Sequence, residues 1–396
     1  MSNQIKHNII IIGCGLVGMV LALSLTKRGI PVAIIEKNKK SKLSNINDLR
    51  TSAISQGSSR ILTNLNIWNK IGNKAQLINS ILVKDGKMSK INFDSESISE
   101  GPLGYIIENK ILKEFVFKEL TKNDLIDIYY DVEIQEIENK RQDVVKLKTN
   151  KGIFESYLLV GADGRYSKIR ELSSFKYFYN DYNQRALVFN ISHEQNHNSS
   201  AVEYFFPSGP LALLPMKNKK QKMSSVVWTI ENSMQLDLKR KNTFLKEFEK
   251  RYNGHFGKIL NFSKPVTYNL NVFYCYNYFK NRIILIGDAC QAIHPIAGQG
   301  LNLGIRDAYI LANTLEEGLS LGIDFGDGLL LEKYSRQRSI DKNLLVQSTH
   351  NLNKLFSNNT FFLSAIRKMG LRIFNQSMFL KKQSMLFAMG LKRLEF

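Results

Sequence analysis

Ile9-Ile-Ile-Ile-Gly13-Cys-Gly15-Leu-Val-Gly18-Met-Val-Leu-Ala-Leu-Ser-Leu-Thr-Lys-Arg28-Gly29-Ile-Pro31-Val-Ala-Ile-Ile-Glu36 is the stretch whose reading decides the fold. Residues 7–13 read as a buried strand that runs into a glycine turn. A helix over Met19–Arg28 follows, closed by Gly29 as C-cap, and Pro31–Glu36 returns as a second buried strand. Such a βαβ unit is how a parallel sheet begins. In this context Gly13-x-Gly15-x-x-Gly18 carries more than chance spacing. Gly13 serves the tight turn, Gly15 lets a pyrophosphate reach the backbone, and Gly18 lets helix pack on strand. The helix N-terminus then presents oriented N–H donors and partial positive charge to phosphate. Glu36, closing the second strand, can accept hydrogen bonds from a ribose. An acid there suits a free 2′-OH, as in FAD or NAD, and repels a 2′-phosphate. A glycine turn with no ligand is the competing reading, and the strand–turn–helix context weighs against it.

Working outward, 396 residues exceed one minimal core, so two packed domains or one interrupted domain are expected. Hydrophobic residues at 43% and charged residues at 23% are ordinary globular proportions and exclude a wholly disordered or collagen-like chain. The net charge of +20 fits an anionic partner: nucleic acid, an acidic membrane face or a phosphate-bearing cofactor. No basic–aromatic stripe repeats, so nucleic acid is not expected. Cys14, Cys275 and Cys290 are widely spaced without a CxxC pair, which argues against a disulfide framework or a zinc site and for a reducing compartment. No apolar run reaches the ~18–20 residues needed to span a bilayer.

Further along, Lys37–Asn47 reads as an exposed loop, Ser55–Ile71 as a helix and Asn109–Leu120 as an amphipathic helix. Residues 127–160 alternate as strand–turn–strand. Between about 177 and 275 the texture changes: Arg185–Ser192, Ala201–Phe206, Leu211–Pro215 and Met223–Ile230 alternate like an antiparallel sheet, interrupted by a helix over Thr243–Tyr252. Ile283–Gly287 is again a buried strand, a helix follows from about Leu301 to Gly318, and the tail from Ser339 is helical and basic. The expected fold is α/β (α+β overall). A Rossmann-like nucleotide-binding domain (1–176 and 276–345) is split by an antiparallel-sheet substrate domain (177–275), with a helical extension over 346–396.

Two more motifs bear on the cofactor. In Leu158-Leu-Val-Gly-Ala-Asp163-Gly164-Arg165-x-Ser167-x-x-Arg170 a strand meets an Asp-Gly turn, which alone is common turn chemistry, and both arginines read equally as solvated. In Arg282-Ile-Ile-Leu-Ile-Gly287-Asp288-Ala-Cys-Gln-Ala-Ile-His294-Pro295-Ile-Ala-Gly298-Gln-Gly300-Leu301-Asn302 a buried strand delivers Asp288 at the sheet edge where ligands bind. Asp288 is placed to accept bonds from a polyol such as a ribityl chain. Gly298 and Gly300 bare the N–H groups of the next helix, whose dipole can stabilise negative charge on a reduced flavin. Two glycine-rich strand-to-helix turns far apart in one chain imply an extended dinucleotide held at both ends.

Together with Asp48-Leu-Arg50-Thr-Ser-Ala-Ile-Ser55, Ser59-Arg60-Ile-Leu, Leu65-Asn-Ile-Trp68, Gly104-Tyr-Ile-Ile-Glu-Asn109-Lys-Ile-Leu112 and the run His294 to Asp307, these motifs make the sequence resemble a known family. It is similar to the FAD-dependent aromatic monooxygenases of the p-hydroxybenzoate hydroxylase type, and within them to the ubiquinone-biosynthesis hydroxylases of the UbiH/UbiF type. The likeness covers residues 7 to 390. One departure is Cys290-Gln291, where the family has Ala-His, and altered local packing is expected there. The resemblance implies that Gly13, Gly15, Gly18 and Glu36 hold the adenosine and pyrophosphate of FAD, with Arg50 reaching the pyrophosphate and Asn109 the flavin-proximal part. Asp163 and Gly164 would lie near FAD and an incoming nicotinamide nucleotide. Asp288 would bind the ribityl-phosphate region, Gly298, Gly300, Leu301 and Asn302 would line the isoalloxazine, and Pro295 would sit beside the flavin near its oxygen-reacting face.

The implied activity is ring hydroxylation of a polyprenylated phenol with O2, through flavin reduced by NAD(P)H and a flavin hydroperoxide. A site for this chemistry excludes water and orients the ring. The sheet at 177–275 suits a roof, with Tyr204, Phe205, Phe206, Leu211, Leu213, Leu214 and Trp228 as candidate wall residues. Strand alternation sends about half of such side chains into a core. His193, His197 and His255 are expected on the solvated surface, and no metal site is expected. The tail mixes apolar and basic residues at helical spacing, which suits either a core-packing cap or contact with anionic lipid and a quinone-biosynthesis complex. The expected location is cytoplasmic, with the inner face of the membrane as a peripheral site. Competing readings are a same-fold flavin reductase of isoprenoid chains and a non-catalytic lipid- or quinol-binding subunit.

Overall fold

The computed structural model describes residues 4–44, 48, 50–85, 89–139, 143–234, 236, 240–293, 298–357, 372 and 374–392. The opening βαβ unit forms as its pattern demands. Gln4–Ile12 pairs in parallel with Val32–Glu36 on one side and with Gly152–Gly161 on the other. The sheet continues through Ile126–Tyr130 at one edge and through Ile283–Leu285 and Phe279–Lys280 at the other. A hairpin of Ile134–Glu138 and Val145–Thr149 extends it by antiparallel pairing with Gly152–Gly161. The helix Leu16–Thr26 is apolar around its whole circumference and is buried on nearly all sides, as such a helix must be. It lies against the helix Gln299–Ser320.

A second, nine-stranded sheet contains the four expected strands, embedded in Tyr177–His193, Ser200–Phe205, Leu211–Pro215 and Met223–Glu231, and adds Val266–Cys275, Ile259–Phe262 and Gln291–Ala292. It also recruits Ser80–Asp85 and Ser89–Asp94 from early in the chain. Ser80–Asp85 joins Ser200–Phe205 in parallel, so the sheet is mixed at that edge. The helix Lys241–Tyr252 covers one face with Phe244, Phe248 and Tyr252. A three-stranded sheet of Thr51–Ser55, Gly104–Glu108 and Gln76–Ile78 lies between the two larger layers, its Ile78 and Ile106 packing with Ala201, Ile81 and Leu214 of the second sheet.

Two local expectations change. The segment Ser55–Ile71 is two helices, Gln56–Asn64 and Trp68–Ile71, because Asn66 adopts a left-handed φ of 58° between them. Lys37–Asn47 contains a short helix, Lys40–Ser44. The C-terminal helices are Gly328–Ser357 and Met378–Ala388. The second one returns to the body: Met385 and Met389 are buried beside Leu103 and Ile106, and Met389 accepts a hydrogen bond from the Gly57 N–H at 2.8 Å. No helix among the described residues is long and apolar enough to cross a membrane.

Candidate functional site

At the first glycine turn the three glycines are demanded by different things. Gly13 has φ 104°, and a Cβ there would lie 2.6 Å from the Ala162 carbonyl oxygen. A Cβ on Gly18 would lie 2.1 Å from the Gly13 oxygen. Gly15 has φ −77°, ordinary for any residue, and a Cβ on it would meet nothing within 4 Å. The chain itself gives no reason for glycine at position 15; a ligand lying against the backbone does. Glu36 closes the turn from behind. Its Oε2 accepts from the Cys14 N–H at 2.8 Å and its Oε1 from the Asn38 backbone at 2.8 Å. Burial, reinforced by Glu36, pushes the Cys14 thiol up to about 12, so it stays protonated.

The second turn meets the first. A Cβ on Gly287 would touch Val17 at 3.2 Å, and one on Gly304 would press it at 2.5 Å, so the starts of both glycine-led helices share one mouth. Asp307 anchors this turn. Its Oδ2 accepts from the Gly287 N–H at 2.9 Å, and its Oδ1 accepts from Arg338 Nε at 2.6 Å, both side chains being fully buried. Asn302 fixes the loop to Thr51–Ser55: it accepts from the Ser55 N–H at 2.9 Å and donates to the Ala53 carbonyl at 2.8 Å. Gly298 has φ 59°, with Ala53 3.0 Å from a notional Cβ. Gly300 repeats the Gly15 pattern, with nothing within 4 Å of an added Cβ, and Leu301 beside it is half-buried. Pro295 lies outside the described residues.

Charged groups converge between the turns. Desolvation by the surrounding protein raises the Asp288 carboxyl pKa, with Asp307 adding to the rise and Arg165 and Arg50 pulling against it. Arg50 lies over the Tyr268 ring at 5.5 Å and donates through Nε and Nη2 to Asp48, both at 2.7 Å. Burial works to raise the Asp48 pKa, but hydrogen bonds from Arg50 and Lys113 outweigh it and hold that carboxyl well below the usual range. Asn109 joins this group, donating its backbone N–H to the Arg50 carbonyl at 2.9 Å and accepting from Ser52 Oγ at 2.6 Å. Asp163 caps the helix Lys168–Leu172 through Oδ2 while its buried Oδ1 has no partner among the described residues, and Gly164 follows at φ 82°. Arg170 is structural, not solvated: it donates to the Ala289 and Arg165 carbonyls at 2.8 Å each and stacks on Phe273. Gln291, at the departure from the family pattern, is buried with neither amide atom partnered among the described residues.

The second sheet shows which wall residues face the cleft. Tyr204, Leu211, Leu213 and Trp228 point away from it, into the core formed with Phe244 and Phe248, and Phe206 stacks on Tyr204 on that side. This corrects the expectation for Leu213, Trp228 and Phe206. Alternation was right, but periodicity cannot say which of two faces meets a cofactor. Phe205 and Leu214 fall on the opposite face, which Tyr268 and Ala201 join to the nucleotide-binding side. His193 and His197 are corrected too: both are buried, His193 bonded to Ser224 Oγ at 3.0 Å and stacked on Phe256, His197 bonded to the Met216 carbonyl at 3.1 Å. His255 is half-buried and pairs with Lys84; burial and that ammonium lower its pKa to about 4. Asp48, Lys113, Asp307 and Arg338 were not among the expected site residues. Asp48 and Asp307 stand in the quoted motifs, but their ion-pair partners lie up to 65 residues away.

The model of the FAD binding domain family matches residues 6–349. The chain belongs to this family. FAD is therefore the cofactor, and the open backbone at Gly15 and Gly300 fits a dinucleotide. The chain is 32% identical over 390 residues to ubiquinone hydroxylase UbiL of Rhodospirillum rubrum, covering 98% of this chain and 90% of that one. It is 28% identical over 407 residues to 3-demethoxyubiquinol 3-hydroxylase of Escherichia coli, covering 99% and 100%. Among solved structures, p-nitrophenol 4-monooxygenase PnpA of Pseudomonas putida shares the fold with a TM-score of 0.81, at 17% identity over 100% of both chains.

Proposed function

We propose that this protein is an FAD-dependent monooxygenase that hydroxylates the aromatic ring of a polyprenylated phenol in ubiquinone biosynthesis, using NAD(P)H and O2. The observation that carries this reading is likeness along the whole chain to hydroxylases of the ubiquinone pathway. Bound FAD supplies the two-electron chemistry that activates O2. The chain's own part is binding, orientation and exclusion of water. Gly13, Gly15 and Gly18 admit the pyrophosphate to the helix N-terminus, and Glu36, already fixed by the Cys14 N–H, accepts the ribose hydroxyls. Asp288 takes the ribityl side, with Arg50 and Arg165 balancing the charge. Asp163 and Gly164 would meet the incoming nicotinamide, Asn109 would hold the flavin-proximal part, and Gly298, Gly300, Leu301 and Asn302 would line the isoalloxazine. The cleft-facing side of the second sheet, Phe205 included, roofs the ring and keeps water out.

The organisation that goes with this reading is a nucleotide-binding domain over 1–176 and 276–345, a substrate domain over 177–275 and an extension over 346–396. Met378, Phe379 and Leu380 are 60%, 69% and 42% exposed beside Lys381 and Lys382, which supports peripheral contact with an anionic membrane face. Co-sedimentation with anionic vesicles at low salt, weakened in Phe379→Ser, tests that contact; indifference to such vesicles rejects it. The activity itself is tested by deleting the gene in a quinone-producing host. A prenylphenol lacking one hydroxyl accumulates and disappears on re-expression. An accumulated quinone with an unsaturated tail in place of a saturated one identifies a reductase of isoprenoid chains instead.

A further inference from the structure

One row of side chains crosses the cleft-facing side of the second sheet from strand to strand. By register it runs Val266, Val188, Val227, Ala212, Glu203, Val83, and Ile91 ends it. Every member but one is aliphatic. On the same strand as Glu203, Val202 and Tyr204 point into the opposite core, while Ala201 and Phe205 share its face. Val188, Val227, Ala212, Glu203 and Val83 are all only half-buried, whereas the other face of the same strands is closed. An apolar floor therefore opens toward the cofactor side with a single carboxyl set in it.

Among the described residues no hydrogen bond or ion pair engages that carboxyl. A half-buried carboxylate among aliphatic neighbours gives up part of its hydration without a partner in the described fold. A ligand that donates a hydrogen bond supplies that partner. We propose that Glu203 is a catalytic residue that receives the ring hydroxyl of the aromatic substrate, fixes the ring over the row and takes its proton during hydroxylation. This rests on the function proposed above. As the proton passes to Glu203, the oxygen electron pair enters the ring and the carbon ortho or para to it forms the new C–O bond. The incoming oxygen atom comes from O2, and the second oxygen leaves as water with the electrons of NAD(P)H, as in the parent reaction. The ring carbon then loses its hydrogen as a proton, Glu203 returns its own proton to the ring oxygen, and aromaticity is restored. The prenyl chain lies along the valines.

Burial alone pushes the Glu203 carboxyl up to about 7, the range in which a general base is poised at neutral pH. The charged group of the adjoining strand on this face is Asp85, one place beyond Val83. Lys84, Lys90 and His255 belong to the other face. The elements packed over this face contribute Ile78, Leu103, Ile106, Met385 and Met389, and Arg50 lies over Tyr268 at its far side; none of these titrates near neutrality.

The test uses the FAD-loaded wild type and the variants Glu203→Gln and Glu203→Leu, with a prenylphenol and NAD(P)H. FAD content, read from the flavin absorbance, stays the same in all three. Glu203→Gln keeps prenylphenol binding, seen as a perturbed flavin spectrum, but loses about a hundredfold in kcat. Its lost pH dependence near 7 is replaced by recovery toward about 10, where a phenol ionises unaided. Glu203→Leu loses binding as well. An active wild type matched by Glu203→Gln in rate and pH profile overturns the role of Glu203 alone. A wild type that hydroxylates no prenylphenol overturns the proposed function and this inference together.

Discussion

At Gly15 an added Cβ meets nothing within 4 Å, while at Gly18 it would lie 2.1 Å from the Gly13 carbonyl oxygen. The two substitutions therefore separate folding from binding. Gly15→Ala leaves the apoprotein as stable as before, or more so by up to about 1 kcal/mol through the unfolded chain, and weakens FAD at least tenfold. Gly18→Ala costs about 1–3 kcal/mol in the apoprotein, because helix and turn must part. Thermal melts of the apoproteins and fluorescence titration with FAD read the two effects. Equal stability losses in both variants would contradict this division. At this scale the sequence showed which residue types matter but not all their partners. The glycine turn and the bond from the Cys14 N–H to Glu36 follow from a strand–turn–helix pattern that is local in the chain. The link from Asp48 to Lys113, and the solitary setting of Glu203, depend on strands and helices distant in the chain.

The helix Gln299–Ser320 carries the second glycine turn, and one buried group on it ties that turn to the next helix. Asp307 takes the Gly287 N–H on one oxygen and Arg338, from the helix Gly328–Ser357, on the other. Neither charge reaches solvent. Replacing Arg338 by Met leaves the Asp307 carboxylate without its cation and lowers stability by about 3–5 kcal/mol. FAD affinity falls with it, because Gly287 and Asp288 lose their anchor. Denaturant unfolding together with FAD titration measures both, and a loss within about 0.5 kcal/mol would show the pair to be dispensable. Elements of the parallel sheet were legible from apolar runs closed by glycine. The strands Ser80–Asp85 and Ser89–Asp94 were not: the first enters the second sheet by a parallel, non-local pairing that no hairpin signal announces.

Over the whole molecule, a three-stranded sheet lies between the parallel-sheet layer and the nine-stranded sheet, and the chain after the helix Met378–Ala388 closes back on the helix start at Gly57. The change of texture near residue 177 coincides with the start of the strand Tyr177–His193 of the second sheet. Which side of that sheet serves the ring was not readable, since alternation is the same on both. The helical tail showed its composition but not that Met385 and Met389 would be buried while Phe379 stays out. The account as a whole stands on transfer of one oxygen atom from O2 to a phenol ring. The direct measurement is mass spectrometry of the product made by the FAD-loaded enzyme from a prenylphenol, NAD(P)H and isotopically heavy O2. A product bearing one heavy oxygen on the ring is the predicted result; a product without it, or turnover that proceeds equally without O2, would contradict the account.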